Sequence, residues 1–147
     1  MKIIKASIEN LEQILPLFEG YRKFYKQLPN LEAARDFLKE RFLNNDSILF
    51  MALNEDENAI GFTQLYPTFS SVSMQPTYIL NDLYVDPSMR GNKVGEKLLN
   101  HAKQFAIKNN SKGLTLETDL DNPAQKLYER LAWKKDTNVL HYTWTNK

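Results

Sequence analysis

Hydrophobic and polar residues recur along the first third of the chain in a pattern that predicts one short strand and two helices. Residues 2–6 are apolar enough for a strand, and Ser7 can cap a helix that opens at Ile8. Asn30 can cap a second helix that runs to about Leu43. The inward positions of the first helix recur at helical spacing and are Ile8, Leu11, Ile14, Leu15 and Phe18. Those of the second are Leu31, Ala34, Phe37, Leu38 and Phe42.

The next segment predicts a hairpin followed by a loop. Residues 47–53 and 59–66 have the apolar character of strands, and the acidic residues 54–58 between them are typical of a turn. Residues 67–76 are polar, rich in serine and bounded by Pro67 and Pro76. We therefore expect them to form a loop.

Residues 77–100 carry the most informative pattern in the chain. Residues 78–85 are apolar on both alternating faces, which is typical of a strand covered on both sides, although Asn81 and Asp82 interrupt the run. Asp86-Pro87 ends the strand, because proline has no N–H to donate to a sheet. From Val94 the apolar positions recur at helical spacing, so a helix begins inside the segment Arg-Gly-Asn-Lys-Val-Gly at 90–95.

This strand, turn and helix can bind phosphate. The first turn of a helix exposes unpaired N–H groups at the positive end of the helix dipole. Phosphates bind at such ends, glycines permit close approach to the main chain, and Arg90 and Lys93 add positive charge. An ordinary connection, in which the glycines only make the turn, is the alternative for so short a motif.

The last part of the chain predicts a strand at 114–118, a helix from Asn122-Pro123 and one or two strands at 139–144. Pro123 suits the first helical position, where its missing N–H costs nothing. The whole order predicts a mixed α/β fold with one central sheet. At 147 residues, the chain fits a single domain spanning 1–147.

Composition narrows the classes of function. A formal net charge of +1 without an obvious basic stripe argues against nucleic acid as a partner. The absence of cysteine and the wide separation of His101 and His141 leave little with which to build a metal site, so we expect no metal. We expect neither a signal peptide nor a membrane span, and hence a cytoplasmic protein.

Two segments resemble the GNAT superfamily of acetyl-CoA-dependent N-acetyltransferases. They are LNDLYVDPSMRGNKVGEKLL at 80–99 and ETDLDNPAQKLYERLAW at 117–133, and the predicted element order matches the superfamily over nearly the whole chain. The segments are especially similar to the branch with histone and polyamine acetyltransferase-like proteins. The resemblance implies a mostly antiparallel sheet flanked by helices, acetyl-CoA as co-substrate, a small-molecule amine as acceptor, and a homodimer.

The resemblance also implies which residues hold acetyl-CoA. Arg90 and Gly95 match the first and last positions of the family's Q/R-x-x-G-x-G/A turn, whereas Lys93 stands at its middle glycine, a departure that tolerates helical dihedrals and adds charge. The backbone of the preceding strand would pair with the pantetheine arm, and Asn122 matches a cofactor-contacting asparagine. The full set is Leu83, Tyr84, Val85, Arg90, Gly91, Asn92, Lys93, Val94, Gly95, Glu96, Asn122 and Ala124.

Three residues become catalytic candidates. Tyr128 matches the family tyrosine that protonates the departing thiolate, and a phenol of pKa about 10 suits that role. Deprotonating an alkylammonium of pKa about 10.4 at pH 7 costs about 4–5 kcal/mol, and Asp82 is the nearest carboxylate to take that proton. Asn81 stands where related polyamine-type enzymes carry a glutamate, and it can orient water or substrate but cannot act as a base.

The acceptor pocket is the least determined part. The family places its first helical loops and its third strand there, which implicates Tyr21, Tyr25, Gln64 and Tyr66, and Glu117 is a further acidic candidate. Simple packing is an equally good alternative for the tyrosines and Gln64. An ordinary acid of a surface turn is the favoured alternative for Glu117. For the protein as a whole, we expect N-acetylation of a primary amine or a lysine-like group. A non-catalytic acyl-CoA-binding sensor is the alternative.

Overall fold

The computed structural model describes residues 1–146 and contains one five-stranded sheet. Its strands are β1 (Lys2–Lys5), β2 (Ile48–Leu53), β3 (Ala59–Ser70), β4 (Gln75–Val85) and β5 (Leu114–Thr115), in that spatial order. Strands β1 to β4 pair antiparallel, whereas β5 lies parallel to β4. The helices are α1 (Leu11–Phe24), α2 (Leu31–Asn44), α3 (Val94–Lys108) and α4 (Gln125–Arg130). This architecture confirms the predicted mixed, mostly antiparallel sheet with flanking helices.

Helices cover both faces of the sheet, as the apolar strands predicted. The first core cluster joins α1 and α2 to alternate side chains of the strands, among them Met51 and Phe62. On the other face, the Phe50 ring lies 4.6 Å from the His101 ring and 5.4 Å from the Phe105 ring, both on α3. Because strand side chains alternate between the two faces of the sheet, neighbouring residues of one strand pack into different cores.

The two predicted helix caps are confirmed. Ser7 caps a 3-10 turn at Ile8–Asn10 that leads into α1, and the Asn30 side chain accepts a hydrogen bond from Ala33 N at 3.1 Å at the start of α2. Ile8 was expected to be buried but is exposed, because it lies in the tighter 3-10 turn and outside the α1 stripe. Leu31 and Phe37 of α2 were also expected to be buried and are exposed.

The predicted loop at 67–76 is wrong, because β3 and β4 continue to pair as far as Ser70 and Gln75. Residues 71–74 alone form the turn. Strand β2 ends its pairing with β3 at Leu65, so Pro67 lies where β3 has no neighbouring strand on that side among residues 1–146. A missing N–H costs nothing at such an edge. Pro67 therefore lies just beyond the point where β2 stops pairing with β3, and β3 itself continues past it.

The chain divides into two compact units, Met1–Glu117 and Thr118–Lys147. Helix α4 begins at Gln125, two residues later than predicted, because Pro123 and Ala124 lie in a turn with i to i+3 hydrogen bonds. The strands predicted at 139–144 are absent from the described residues, and the strand predicted at 114–118 shortens to Leu114–Thr115. Apolar alternation favours a strand but does not supply the neighbouring strand that its backbone needs.

Candidate active site

Strand β4 runs into α3 through a short capped connection. Asp86 accepts a hydrogen bond from Ser88 N at 2.9 Å and caps a 3-10 turn at Pro87–Met89. Residues 90–93 follow, and α3 begins at Val94. The sequence therefore located the start of this helix correctly, inside the glycine-containing segment.

Two residues of this connection have left-handed backbone conformations. Gly91 has φ of 86° and Lys93 has φ of 63° and ψ of 21°. Lys93 thus does not take the right-handed helical dihedrals that a lysine tolerates, although it directly precedes the first residue of α3. A left-handed conformation favours glycine, since it brings the Cβ of any other residue close to its own carbonyl oxygen. This explains why a glycine suits the position that Lys93 occupies.

The first turn of α3 is open to an anion. The Lys93 side chain caps none of its N–H groups, and those groups have no acceptor within the helix. Lys93 and Arg90 are both exposed, and Arg90 Nε donates to the Val85 carbonyl oxygen at 3.2 Å. The geometry fits a pyrophosphate held by main-chain N–H groups, with positive charge at its side.

We expect Lys93→Gly to raise the free energy of unfolding by about 1 kcal/mol, because it relieves the left-handed strain. The matched control is Lys93→Ala, which removes the charge but keeps a Cβ in the same conformation. Chemical denaturation of the three proteins measures the difference. Equal stability of the glycine and alanine variants would contradict the strain at Lys93.

Gly61 in β3 allows α3 to start close to the sheet. A Cβ at this position would lie 3.0 Å from the Tyr84 carbonyl oxygen and 3.1 Å from Val94 Cγ1. Gly61 was not among the predicted site residues, although a glycine within a strand pattern indicates a close approach of this kind. The first turn of α3 can therefore lie this close to β3 only because Gly61 has no side chain.

Replacing Gly61 with valine should lower the free energy of unfolding by about 1–3 kcal/mol through overpacking. It should also weaken binding at the first turn of α3, since that turn must move away from β3. Gly113→Ala is the control, because a Cβ there meets nothing within 4 Å. Thermal unfolding and titration with CoA test both effects, and a neutral Gly61→Val variant would contradict them.

A β-bulge interrupts the pairing of β3 with β4. Gln64 pairs with Asp82 and Leu65 pairs with Leu80, which leaves Asn81 as the extra residue of β4. On the opposite side, β5 pairs with β4 only at Tyr78 and Ile79. Within residues 1–146, the backbone of Leu83, Tyr84 and Val85 therefore has a neighbouring strand on the β3 side alone. This open edge can accept an extended arm such as pantetheine, as the resemblance implied.

Asp82 lies at the bulge and is 1% exposed. Its carboxylate accepts hydrogen bonds from Gln64 Nε2 at 2.7 Å and from Asn81 Nδ2 at 2.8 Å. Burial raises the pKa of the Asp82 carboxyl, although hydrogen bonds from Asn81, Gln64 and Tyr21 oppose the rise. A carboxylate with a raised pKa is a stronger base than an exposed one.

Two tyrosines predicted for the acceptor pocket lie close to Asp82. The Tyr21 hydroxyl donates to the Asn81 carbonyl oxygen at 3.0 Å, and its ring centroid lies 5.1 Å from that of Tyr25. Burial and the charge of Asp82 raise the pKa of both the Tyr21 and the Tyr66 phenols. Gln64 is fully buried and bonded to the same carboxylate. The bulge thus brings Tyr21, Gln64, Tyr66, Asn81 and Asp82 together, whereas Glu117 is exposed at the end of the first unit.

A further buried residue beside this cluster was missed. Thr63 is fully buried, and its Oγ1 donates to the Asp82 carbonyl oxygen at 2.7 Å. This hydrogen bond ties the main chain of β4 to β3 directly at the bulge. Nothing in the sequence pattern indicated it, because threonine is common in strands.

The remaining candidates lie in the second unit. Asn122 Oδ1 accepts a hydrogen bond from Ala124 N at 3.0 Å, which forms the turn before α4. Tyr128 is half-buried on α4, with its ring centroid 6.0 Å from that of Trp133. The roles of Asn122, Ala124 and Tyr128 stay predictions.

The described residues contain neither a metal-binding cluster nor a membrane-spanning helix. Residues 1–146 contain no group of three or more His, Cys, Asp or Glu side chains that could hold a metal ion. Their helices include none with the length and apolar character needed to cross a membrane.

Comparisons with known proteins agree on one family. The model of the acetyltransferase (GNAT) family matches residues 11–133. An uncharacterized N-acetyltransferase, YhfO of Bacillus subtilis (strain 168), is 47% identical over 143 residues, which cover 97% of this chain and 95% of that protein. A probable acetyltransferase of Haemophilus influenzae (strain ATCC 51907 / DSM 11121 / KW20 / Rd) is 35% identical over 141 residues, covering 88% of this chain and 97% of that protein.

A solved structure agrees with these relatives. The crystal structure of a probable acetyltransferase matches this chain with a TM-score of 0.95 and 38% identity, covering 100% of this chain and 99% of that one. The matched segment 11–133 includes the β-bulge, the first turn of α3 and α4. The chain therefore belongs to the acetyltransferase (GNAT) family.

Proposed function

We propose that this acetyltransferase moves an acetyl group from acetyl-CoA to a primary amine, by direct attack of the amine while both substrates are bound. The observation that supports this most is the buried Asp82 at the β-bulge, one residue before the open edge of Leu83, Tyr84 and Val85. The proposed base would then be adjacent in β4 to the backbone edge that would bind the acyl donor. We further propose that 1–147 acts as one domain, since the family match spans both compact units.

The acyl donor would be held by main-chain groups. The open edge of β4 would pair with the pantetheine arm, and a backbone N–H near Leu83 or Tyr84 would polarise the thioester oxygen. The first turn of α3 would hold the pyrophosphate, with Arg90, Gly91, Asn92, Lys93, Val94, Gly95 and Glu96 around it. Asn122 and Ala124 complete the proposed set.

The chemistry requires two proton transfers. The amine nitrogen forms a bond to the acetyl carbon, the carbon–sulfur bond breaks, and the nitrogen loses a proton. Asp82 would accept that proton, helped by its raised pKa, while Asn81 orients the amine or a water. Tyr128 would protonate the leaving thiolate.

Release of CoA in the presence of amines tests the proposal. The chain has no cysteine, so a thiol reagent reports free CoA without a background from the protein. Candidate acceptors are polyamines, amino sugars, small primary amines and lysine-containing peptides. We expect CoA release and a matching acetylated product with at least one primary amine. Tight CoA binding without release across the whole set would contradict the proposal and favour a sensor.

Three further properties stay predictions. They are the histone and polyamine acetyltransferase-like branch, a cytoplasmic location and a homodimer. Sedimentation velocity of the purified chain decides the last of these.

A further inference from the structure

The pair formed by Asp82 and Gln64 lacks a positive charge. Asp82 is 1% exposed, and none of the salt bridges within residues 1–146 involves it. The hydrogen bonds to its carboxylate come from neutral groups, namely the Gln64 and Asn81 amides and the Tyr21 phenol. Buried carboxylates are normally paired with a cation, because burial removes the stabilisation that water gives to the charge.

Gln64 adds an acceptor that the protein does not use. A carboxylate only accepts hydrogen bonds, so the Gln64 amide must turn its Nε2 towards Asp82, at 2.7 Å. Its Oε1 then faces away and has no hydrogen-bond partner among the described residues. Gln64 is 0% exposed, and buried acceptors are normally satisfied, so a water or a ligand group would have to supply the missing donor.

The cation that lies near Tyr66 does not fill this role. Arg41 lies near Tyr66, but its Nε is 3.2 Å from Asp46 Oδ1 and its guanidinium carbon is 4.8 Å from the Phe37 ring centroid. Arg41 is therefore engaged with Asp46. The phenol groups of Tyr21 and Tyr66 are neutral at physiological pH, because the adjacent carboxylate and burial hold their pKa values above the ordinary value.

We propose that Gln64 determines acceptor specificity, by using its free Oε1 together with the Asp82 carboxylate to select a primary alkylammonium. This inference rests on the proposed function. A primary ammonium supplies both a positive charge and three N–H donors. One donor can satisfy Gln64 Oε1, while the charge lies beside Asp82, to which the ammonium then loses its proton before attack.

The same arrangement disfavours a neutral acceptor. An alcohol of equal length brings no charge and a single donor, so it leaves either Asp82 or Gln64 Oε1 unsatisfied. Sites with buried polar groups reject ligands that leave those groups unpaired. Around the pair, Asn81 is exposed and Tyr21 and Tyr66 are half-buried, so these are the residues of the cluster that an acceptor can contact first.

Binding of 1,4-diaminobutane and 1,4-butanediol to the full chain with CoA present tests the inference, measured by ligand-observed NMR. We expect the wild type to bind the diamine at least tenfold more tightly than the diol. Gln64→Met, which keeps the length of the side chain without its amide, should weaken diamine binding about tenfold or more and leave diol binding unchanged. Leu65→Met is the control, because Leu65 is equally buried and adjacent on the opposite face of β3.

Two results would overturn the inference. One is a wild type that binds the diol as tightly as the diamine, which decides the matter even if Gln64→Met does not fold. The other is a folded Gln64→Met variant with unchanged diamine affinity.

Turnover separates the failure of this inference from the failure of the proposed function. With an amine that releases CoA, Gln64→Met should raise KM about tenfold or more and change kcat much less. An unchanged KM would remove Gln64 from recognition while the proposed function stands. Selective diamine binding without CoA release from any amine would instead remove the proposed transfer and leave the recognition by Gln64 in place.

Discussion

Asp82→Asn should slow acetyl transfer by about 10²- to 10⁴-fold, the range that a positioned general base contributes. The same change should raise the melting temperature at pH 7 by roughly 3 °C, which corresponds to about 1 kcal/mol in a chain of this size. Asparagine is nearly isosteric and can keep the hydrogen bond from Gln64, but it carries no charge into the buried bulge. Steady-state CoA release and calorimetry of the two proteins measure both effects.

The gain in stability should depend on pH in a defined direction. The unfolded carboxyl has a pKa near 3.8, and burial raises the pKa of Asp82 in the folded protein. Between these two pKa values the folded protein binds the proton more tightly, so the wild type loses stability as the pH rises through that window. The advantage of Asp82→Asn is therefore present at neutral pH and disappears in acid.

Asp86→Asn is a control of opposite sign. Hydrogen bonds from Ser88 lower the pKa of the Asp86 carboxyl below 3.8, so its contribution is present at neutral pH and is lost as the pH falls through the folded-state pKa. This variant should be less stable than the wild type at pH 7. An Asp82→Asn variant that is also less stable at pH 7 would show that the Asp82 carboxylate stabilises the fold and has a structural role.

We expect Asp82→Asn to lose activity and gain stability because of the position of Asp82. A structural acid would be placed where water or a cation supports its charge, as Asp86 is. Asp82 instead faces a buried amide whose second polar atom has no partner in the described chain. Destabilising groups of this kind persist in proteins mainly where function requires them.

The parts of the site that sequence predicted are those set by local chemistry. The apolar run of β4, the stop at Asp86-Pro87 and the helical spacing from Val94 each depend on neighbours a few residues away, and all three are confirmed. The left-handed conformation of Lys93 was missed because lysine seldom adopts it, so the residue itself gave no signal for it.

The polar pair at the bulge could not be derived from sequence. Gln64 and Asp82 are 18 residues apart, and they meet only because the register of β3 with β4 places them opposite each other. The bulge at Asn81 then shifts every residue before it by one position. A pattern of apolar alternation predicts the strands, but it determines neither their register nor the position of the bulge. The side chain opposite Gln64 or Asp82 therefore cannot be predicted from it.

Tyr128→Phe should lower kcat by about 10²-fold or more while leaving the affinity for acetyl-CoA within about twofold of the wild type. The substitution removes only the hydroxyl oxygen, and phenylalanine retains the ring that packs 6.0 Å from the Trp133 ring. Helix α4 should therefore keep its structure. Steady-state kinetics and CoA titration of the variant separate the chemical step from binding.

The control for this change lies in the same compact unit. Tyr142 is 88% exposed and outside the proposed set, so Tyr142→Phe should leave both kcat and affinity unchanged. If Tyr128→Phe retained full kcat, the thiolate would take its proton from another donor. A loss of acetyl-CoA affinity with unchanged kcat would instead make Tyr128 a binding residue. Only a fall in kcat at constant affinity assigns its hydroxyl to protonation of the leaving group, because that interaction develops in the transition state and is absent from the bound ground state.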